Sequence, residues 1–142
     1  MTSVRRQAQL GAAALLALIF GMLMISLLTV AASLSAVHFR AAARQRQEAA
    51  ARTAAESGVA ACLAAIRAGH ASGSFREQIG RARYEASFHG RASAFTIETV
   101  GIDEGGSGGP FEWSVRARGE MVNGRPTYAT WEARGGGRRS ER

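Results

Sequence analysis

The chain of 142 residues has no lysine, one cysteine, one aspartate and two prolines. Each scarcity excludes something. Cys62 has no second cysteine to pair with, so no intramolecular disulfide can staple the fold. His38, His70 and His89 are isolated and Asp103 is the sole aspartate, which leaves no metal-ligand spacing. Ser57, in Glu56-Ser57-Gly58, sits in a helix-forming stretch and not in the strand-to-helix elbow that exposes a serine nucleophile. Glu48 and Glu56 read as solvated helix charges. No catalytic, cofactor-binding or metal-binding residue is therefore expected. The chain is expected not to be an enzyme and to take neither a cofactor nor a small-molecule substrate.

The absence of lysine makes all 18 basic side chains arginine, against 11 acidic ones, for a net charge of +7. Together with abundant alanine and glycine, this reads as a GC-rich coding bias. Arginine is densest at Arg5–Arg6, Arg40–Arg46 and Arg138–Arg142. Two of these groups flank an apolar run and one is the C-terminal tail. A nucleic-acid surface needs a basic face interleaved with exposed aromatics, and that pattern is not evident, so no nucleic-acid partner is expected. The glycines from Gly101 to Gly109 could suggest a phosphate cradle, but no Gly-Lys-Ser/Thr and no strand-to-helix context follows them.

What the chain does have is an apolar run. Leu10 to Val37 carries no charge, and its polar side chains are Ser26, Thr29, Ser33 and Ser35. A hydrocarbon core is spanned by about 20 apolar residues in a helix, and this run is longer. It also exceeds the apolar region of about 7–15 residues in a secretory signal. Val30-Ala31-Ala32 has small residues at a signal-peptidase spacing, but cleavage after Ala32 would split what reads as one continuous helix. Arginines lie on both sides of the run, so the positive-inside rule does not choose an orientation. Ala13, Ala17 and Gly21 recur every four residues and place three small side chains on one helix face, which in lipid lets another helix approach closely.

The helical pattern does not stop at the membrane. Residues 38–68 contain no proline and a single glycine, Gly58, and are dominated by good helix formers. The same helix is expected to run on into solvent and to end near Gly69. Val59, Cys62, Leu63 and Ile66 form one apolar stripe that something must cover, with Cys62 as a small core residue. Glu48 and Arg52 are spaced for an i,i+4 ion pair. His38 to Thr53 shows no comparable stripe and reads as a solvated stalk or a surface for other subunits.

Residues 69–134 read as a small antiparallel β domain. His70 to Ser74 is a polar loop. Tyr84–Phe88, Phe95–Val100, the alternation at Trp113, Val115 and Ala117, and Tyr128–Ala133 are four strands. Asn123-Gly124 is the strongest hairpin turn signal. A plain two-residue turn there pairs Arg116 with Trp131 and puts Trp131 on the arginine face. A bulge near Gly119 would move Trp131 to the core face, and both registers stay open. Residues 135–142 are expected to be a disordered tail. The expected fold class is α+β: a long N-terminal helix packed by an antiparallel sheet of about four strands.

Residues 5–66 resemble the N-terminal region of type IV pilin-like proteins. The likeness rests on Arg5-Arg6-Gln7, then Gly11, then Ala12-Ala13-Ala14-Leu15-Leu16-Ala17-Leu18-Ile19, and on the long helix through Ala54-Ala55-Glu56-Ser57-Gly58-Val59. That last stretch looks like minor pilins of the X type and K-type pseudopilins of type II secretion. Phe95 to Gly101 also looks like a strand of such small pilin sheets.

The resemblance implies a basic leader over residues 1–11, prepilin-peptidase cleavage between Gly11 and Ala12, and methylation of the new amine. It further implies a transmembrane helix over 12–37, an N-terminus in the cytoplasm and a C-terminal domain in the periplasm of a bacterial inner membrane. The implied partners are other pilin or pseudopilin subunits, packed through Ala13, Leu16, Ala17 and Gly21. Two positions depart from the pattern. Ala12 replaces the usual bulky residue, and Leu16 stands at the fifth mature position, where most subunits carry a glutamate thought to pair with a neighbour's amine. The expectation is a low-copy tip or priming subunit. The alternative is a single-pass inner-membrane protein with a small periplasmic binding domain unrelated to filaments.

Overall fold

The computed structural model describes the backbone of residues 2–105 and 109–137, and the side chains of 14–105 and 109–136. One helix, α1 (Thr2–Arg67), is followed by five strands: β1 (Ser72–Ile79), β2 (Ala82–Arg91), β3 (Ala94–Asp103), β4 (Phe111–Val122) and β5 (Arg125–Gly137). The chain divides into two compact units, Met1–Ala41 and Ala42–Arg142.

In the first unit every described side chain is exposed. Leu15 to Phe39 present their apolar surface with nothing packed on them. The hydroxyls of Ser26, Thr29 and Ser33 each donate to the carbonyl four residues earlier, at 2.8–2.9 Å. This segment is part of a helix long and apolar enough to cross a membrane.

In the second unit the strands lie in sequence order, β1-β2-β3-β4-β5, and every neighbouring pair is antiparallel. The α+β layout follows as expected, with five strands in place of about four. The additional strand is β1, which begins at Ser72, inside the stretch expected to be loop. Its Ser-Gly-Ser start carries no strand signal of its own, and pairing to β2 from Ser72↔His89 to Ile79↔Ala82 supplies what propensity does not. Strand β3 likewise continues through Gly101 to Asp103, beyond the expected strand end at Val100. Strand β5 reaches Gly137, three residues into the expected tail, where Gly135 lies beneath the Trp113 ring. Residues 138–142 lie outside the described ones.

The turns account for much of the register. Asn123 and Gly124 both have positive φ, 52° and 75°, the type I′ geometry that matches strand twist. A register shift between Arg118 and Gly119 then pairs Ala117 with Trp131. The bulged alternative is therefore the one adopted, and Trp131 shares the face of Ala117. The end of α1 is a Schellman cap: Gly69 has φ 90°, His70 N–H donates to Ala65 O and Gly69 N–H to Ile66 O.

The stripe of α1 is covered by the sheet. Val59, Cys62, Leu63 and Ile66 are buried with Phe88, Phe95, Ile97 and Val115. Each large apolar side chain removed from water contributes about 1.5–3 kcal/mol. The cover extends further toward the N-terminus than the stripe suggests, because Gln47, Ala51, Ala54 and Ala55 are buried as well. Contact there is backbone to backbone. A Cβ on Gly101 would overlap the Ala51 carbonyl oxygen, and one on Gly58 would meet Thr99, Tyr84 and Ala86. Small residues on both sides bring helix and strand together at this end, and larger ones hold them apart near Ile66.

Candidate functional site: an apolar segment and an open sheet edge

Among the described residues, two surfaces are left without an intramolecular partner, one in each unit. The first is the apolar part of α1. Leu16 is 67% exposed, and a Cβ built on Gly21 meets nothing. Ala17 is exposed beside them. Gly11, Ala12 and Ala13 lie on the same helix, with side chains outside the described ones. The Ala17–Gly21 part of the small-residue face is thus open. Ser26, Thr29 and Ser33, bonded back to their own helix, have their donors satisfied in the apolar environment that such a segment needs.

The second surface is the outer side of β5. On the face turned toward the helix layer, Tyr128 and Trp131 are 37% and 46% exposed, and their rings meet edge to face at 5.0 Å. Sequence reasoning left open whether a bulge turns Trp131 to this face, and the structure has that bulge. That reasoning missed that a single helix does not reach far enough across five strands to cover it. Burial pushes the Tyr128 phenol above its ordinary range, and the Arg67 charge opposes that shift.

The opposite face of the sheet is polar and laced with cross-strand charge. Arg76 pairs with Glu85 at 2.9 Å, Glu98 with Arg116 at 2.8 Å, and Arg83 with Glu104 at 2.8 Å. On the helix, Arg52 pairs with Glu56 at 2.8 Å and not with the expected Glu48. The hydrogen bond from Arg52 to Glu56 raises its already high pKa. Its guanidinium also lies 5.7 Å from the centre of the Trp113 ring, which favours the turn toward Glu56.

Cys62 lies buried in the core. Burial pushes the Cys62 thiol up to about 11, the environment of an inert core thiol. Among the described residues, no group of three or more His, Cys, Asp or Glu side chains is placed to hold a metal ion. His89 and Glu120 line one cleft with Phe95, Arg118 and Tyr128, with no hydrogen bond between them.

The chain matches no protein-family model, no curated protein and no solved structure. Its function is therefore argued from the two open surfaces.

Two further polar residues, neither foreseen, hold Gly105 and Gly109 after β3. Gln47 Nε2 donates to the carbonyls of Gly105 and Gly109. Asp103, fully buried, accepts from Gly105 N–H at 2.8 Å and pairs with Arg81 at 2.9 Å. These contacts hold the chain where β3 passes under the helix, a structural role that the glycines of this loop gave no sign of.

Proposed function

We propose that this chain is a membrane-anchored assembly subunit, a minor pilin or pseudopilin of a type IV pilus or type II secretion filament. The observation that carries the reading is α1 itself. From Ala14 to Val37 it carries no charge and is exposed throughout, and its last part is clasped by a small antiparallel sheet. A helix that exposes Leu, Ile, Phe and Met over so many turns needs lipid or other helices around it. On this reading the anchor lies first in the bacterial inner membrane, N-terminus inside and sheet domain in the periplasm, and then among the helices of neighbouring subunits.

Leu16 sharpens the proposal. A subunit in mid-filament would bury its neighbour's N-terminal amine without a carboxylate at this position, and an uncompensated buried charge is costly. The chain is then a low-copy tip or priming subunit. The test is mass spectrometry of the mature N-terminus in cells with and without prepilin peptidase. The expected result is a peptidase-dependent start at Ala12, with the amine methylated. An intact N-terminus in both strains refutes the reading.

That refuting result would favour a single-pass membrane protein with a binding domain. The exposed Tyr128–Trp131 pair is the observation on its side, since aromatic anchors are enriched at recognition surfaces.

A further inference from the structure

Strand β5 is the longest of the sheet and has a neighbour on one side only. Pro126 and the bulge blunt its hairpin end. From Thr130 to Gly137 the pairing with β4 is regular, and the outer row of backbone N–H and C=O groups is unpaired. Such an edge is a template for another strand.

The charges beside this edge indicate which strand fits. On the polar face, one row runs Glu98–Arg116–Glu132, with Arg116 ion-paired to Glu98 and Glu132 as its partner across β4 and β5. The row ends on an acid, and among the described residues neither Glu132 nor Arg134 has an ion pair of its own. At the far edge of the sheet, β1 begins another such row with a base, Arg76, paired to Glu85. Four antiparallel steps separate β1 from β5, so the two edges run parallel to each other.

We propose that β5 of one copy pairs in parallel with β1 of a second copy, staggered so that Glu132 lies beside the second copy's Arg76. The signs then alternate without a break across the junction: Glu98, Arg116, Glu132, Arg76, Glu85. The unstaggered register sets Arg134 beside Arg76 and is disfavoured by like charge. On the other face the same stagger brings the exposed Trp131 against Phe75, which already stacks on Phe88 at 6.1 Å between ring centres.

Direction decides between this arrangement and its rival. Glu132-Ala133-Arg134 could also pair with itself in an antiparallel β5–β5 dimer, with each Glu132 opposite the other copy's Arg134. That symmetry inverts the helical segment from Ala42 to Arg67 of one copy relative to the other. The parallel contact keeps both segments pointing the same way, as two chains entering one membrane require. In this one respect the inference rests on the membrane-anchored reading. It does not depend on filament processing. The contact is heterologous, so an open run of copies leaves one β1 and one β5 free at its ends.

The experiment co-expresses two differently tagged full-length copies in cells lacking prepilin peptidase, so that failure of the pilin reading does not affect it. One copy carries Thr130→Cys and the other Ser74→Cys, positions that the stagger places side by side. Cys62 is buried, and copies without an added cysteine are the control. Mild oxidation is expected to give a disulfide between the two tags. The product is expected to disappear when the first copy also carries Glu132→Arg and to return when the second then carries Arg76→Glu. The proposal is overturned if no mixed-tag product forms, if Thr130→Cys copies link to one another, if Glu132→Arg leaves the product unchanged, or if Arg76→Glu does not restore it.

Discussion

Replacing Gly101 by alanine adds one methyl group, and the sign of its effect tests the packing of helix on sheet. Gly101 is not at positive φ, so alanine meets no backbone strain there. Were the site open, the change would stabilise the chain by about 0.4–1 kcal/mol through the unfolded state. In the structure the new Cβ would overlap the Ala51 carbonyl oxygen and come within 2.7 Å of the Ala55 nitrogen. Both obstacles are helix backbone, which cannot rotate aside as a side chain can. The helix must lift from β3, loosening Ala51, Ala54 and Ala55 together. Overpacking in a core costs about 1–3 kcal/mol, and a backbone clash belongs at the upper end. For a domain of this size, about 3 kcal/mol lowers Tm by roughly 12–24 °C. The assay is thermal unfolding of the full chain in detergent, followed by tryptophan fluorescence, with Gly21→Ala as a matched control that touches nothing in the domain. A Gly101→Ala protein melting at or above the parent would refute the close approach of helix and strand.

Three other outcomes follow from particular side chains. Thr99 Oγ1 is buried without a hydrogen-bond partner, so Thr99→Val is expected to raise stability by about 1 kcal/mol in chemical denaturation. Burial holds the folded Cys62 thiol up at about 11, above the ordinary thiol range. The folded state therefore keeps its proton while the unfolded state loses it, and stability falls as pH rises from about 9 to 11. Denaturation midpoints across that window should decline less steeply in Cys62→Ala, and the native thiol should resist alkylation at neutral pH until urea is added. If Leu16 is what keeps the subunit at low copy, Leu16→Glu should raise its abundance relative to the major subunit in sheared filaments, measured by quantitative immunoblot.

From Ala12 to its C-terminal cap the helix was legible because every signal agreed: an apolar run, then alanine-rich sequence without proline, then Gly69 to close it. The α+β class followed from that helix and the strand alternation after it. What the sequence hid was set by contacts between distant residues. Strand β1 has little apolar alternation and exists because β2 offers it an edge. Gly101 and Gly58 look like weaknesses in a strand and a helix until the helix backbone is placed against the first and the side chains of Thr99, Tyr84 and Ala86 against the second. Gln47 sits in a stretch with no stripe, and its task depends on a loop some sixty positions away. The choice between two registers for Trp131 turned on a single bulge, which local sequence allowed but could not select. The open surfaces were half visible. The small-residue face of the helix could be read from spacing, whereas the exposure of Tyr128 and Trp131 depends on how many strands one helix can cover.

The graded packing along the last part of α1 has a mechanical consequence. Alanines and Gly58 fill the end where strand β3 lies closest, and Val59, Leu63 and Ile66 fill the wider end. A pull toward the N-terminus would drag the large side chains into spaces that already lack room for a methyl group. The helix therefore behaves in its clasp as a wedge that tightens under tension. Force applied from the N-terminal side would reach the sheet without slippage, and the domain should resist extraction in that direction better than displacement in the other.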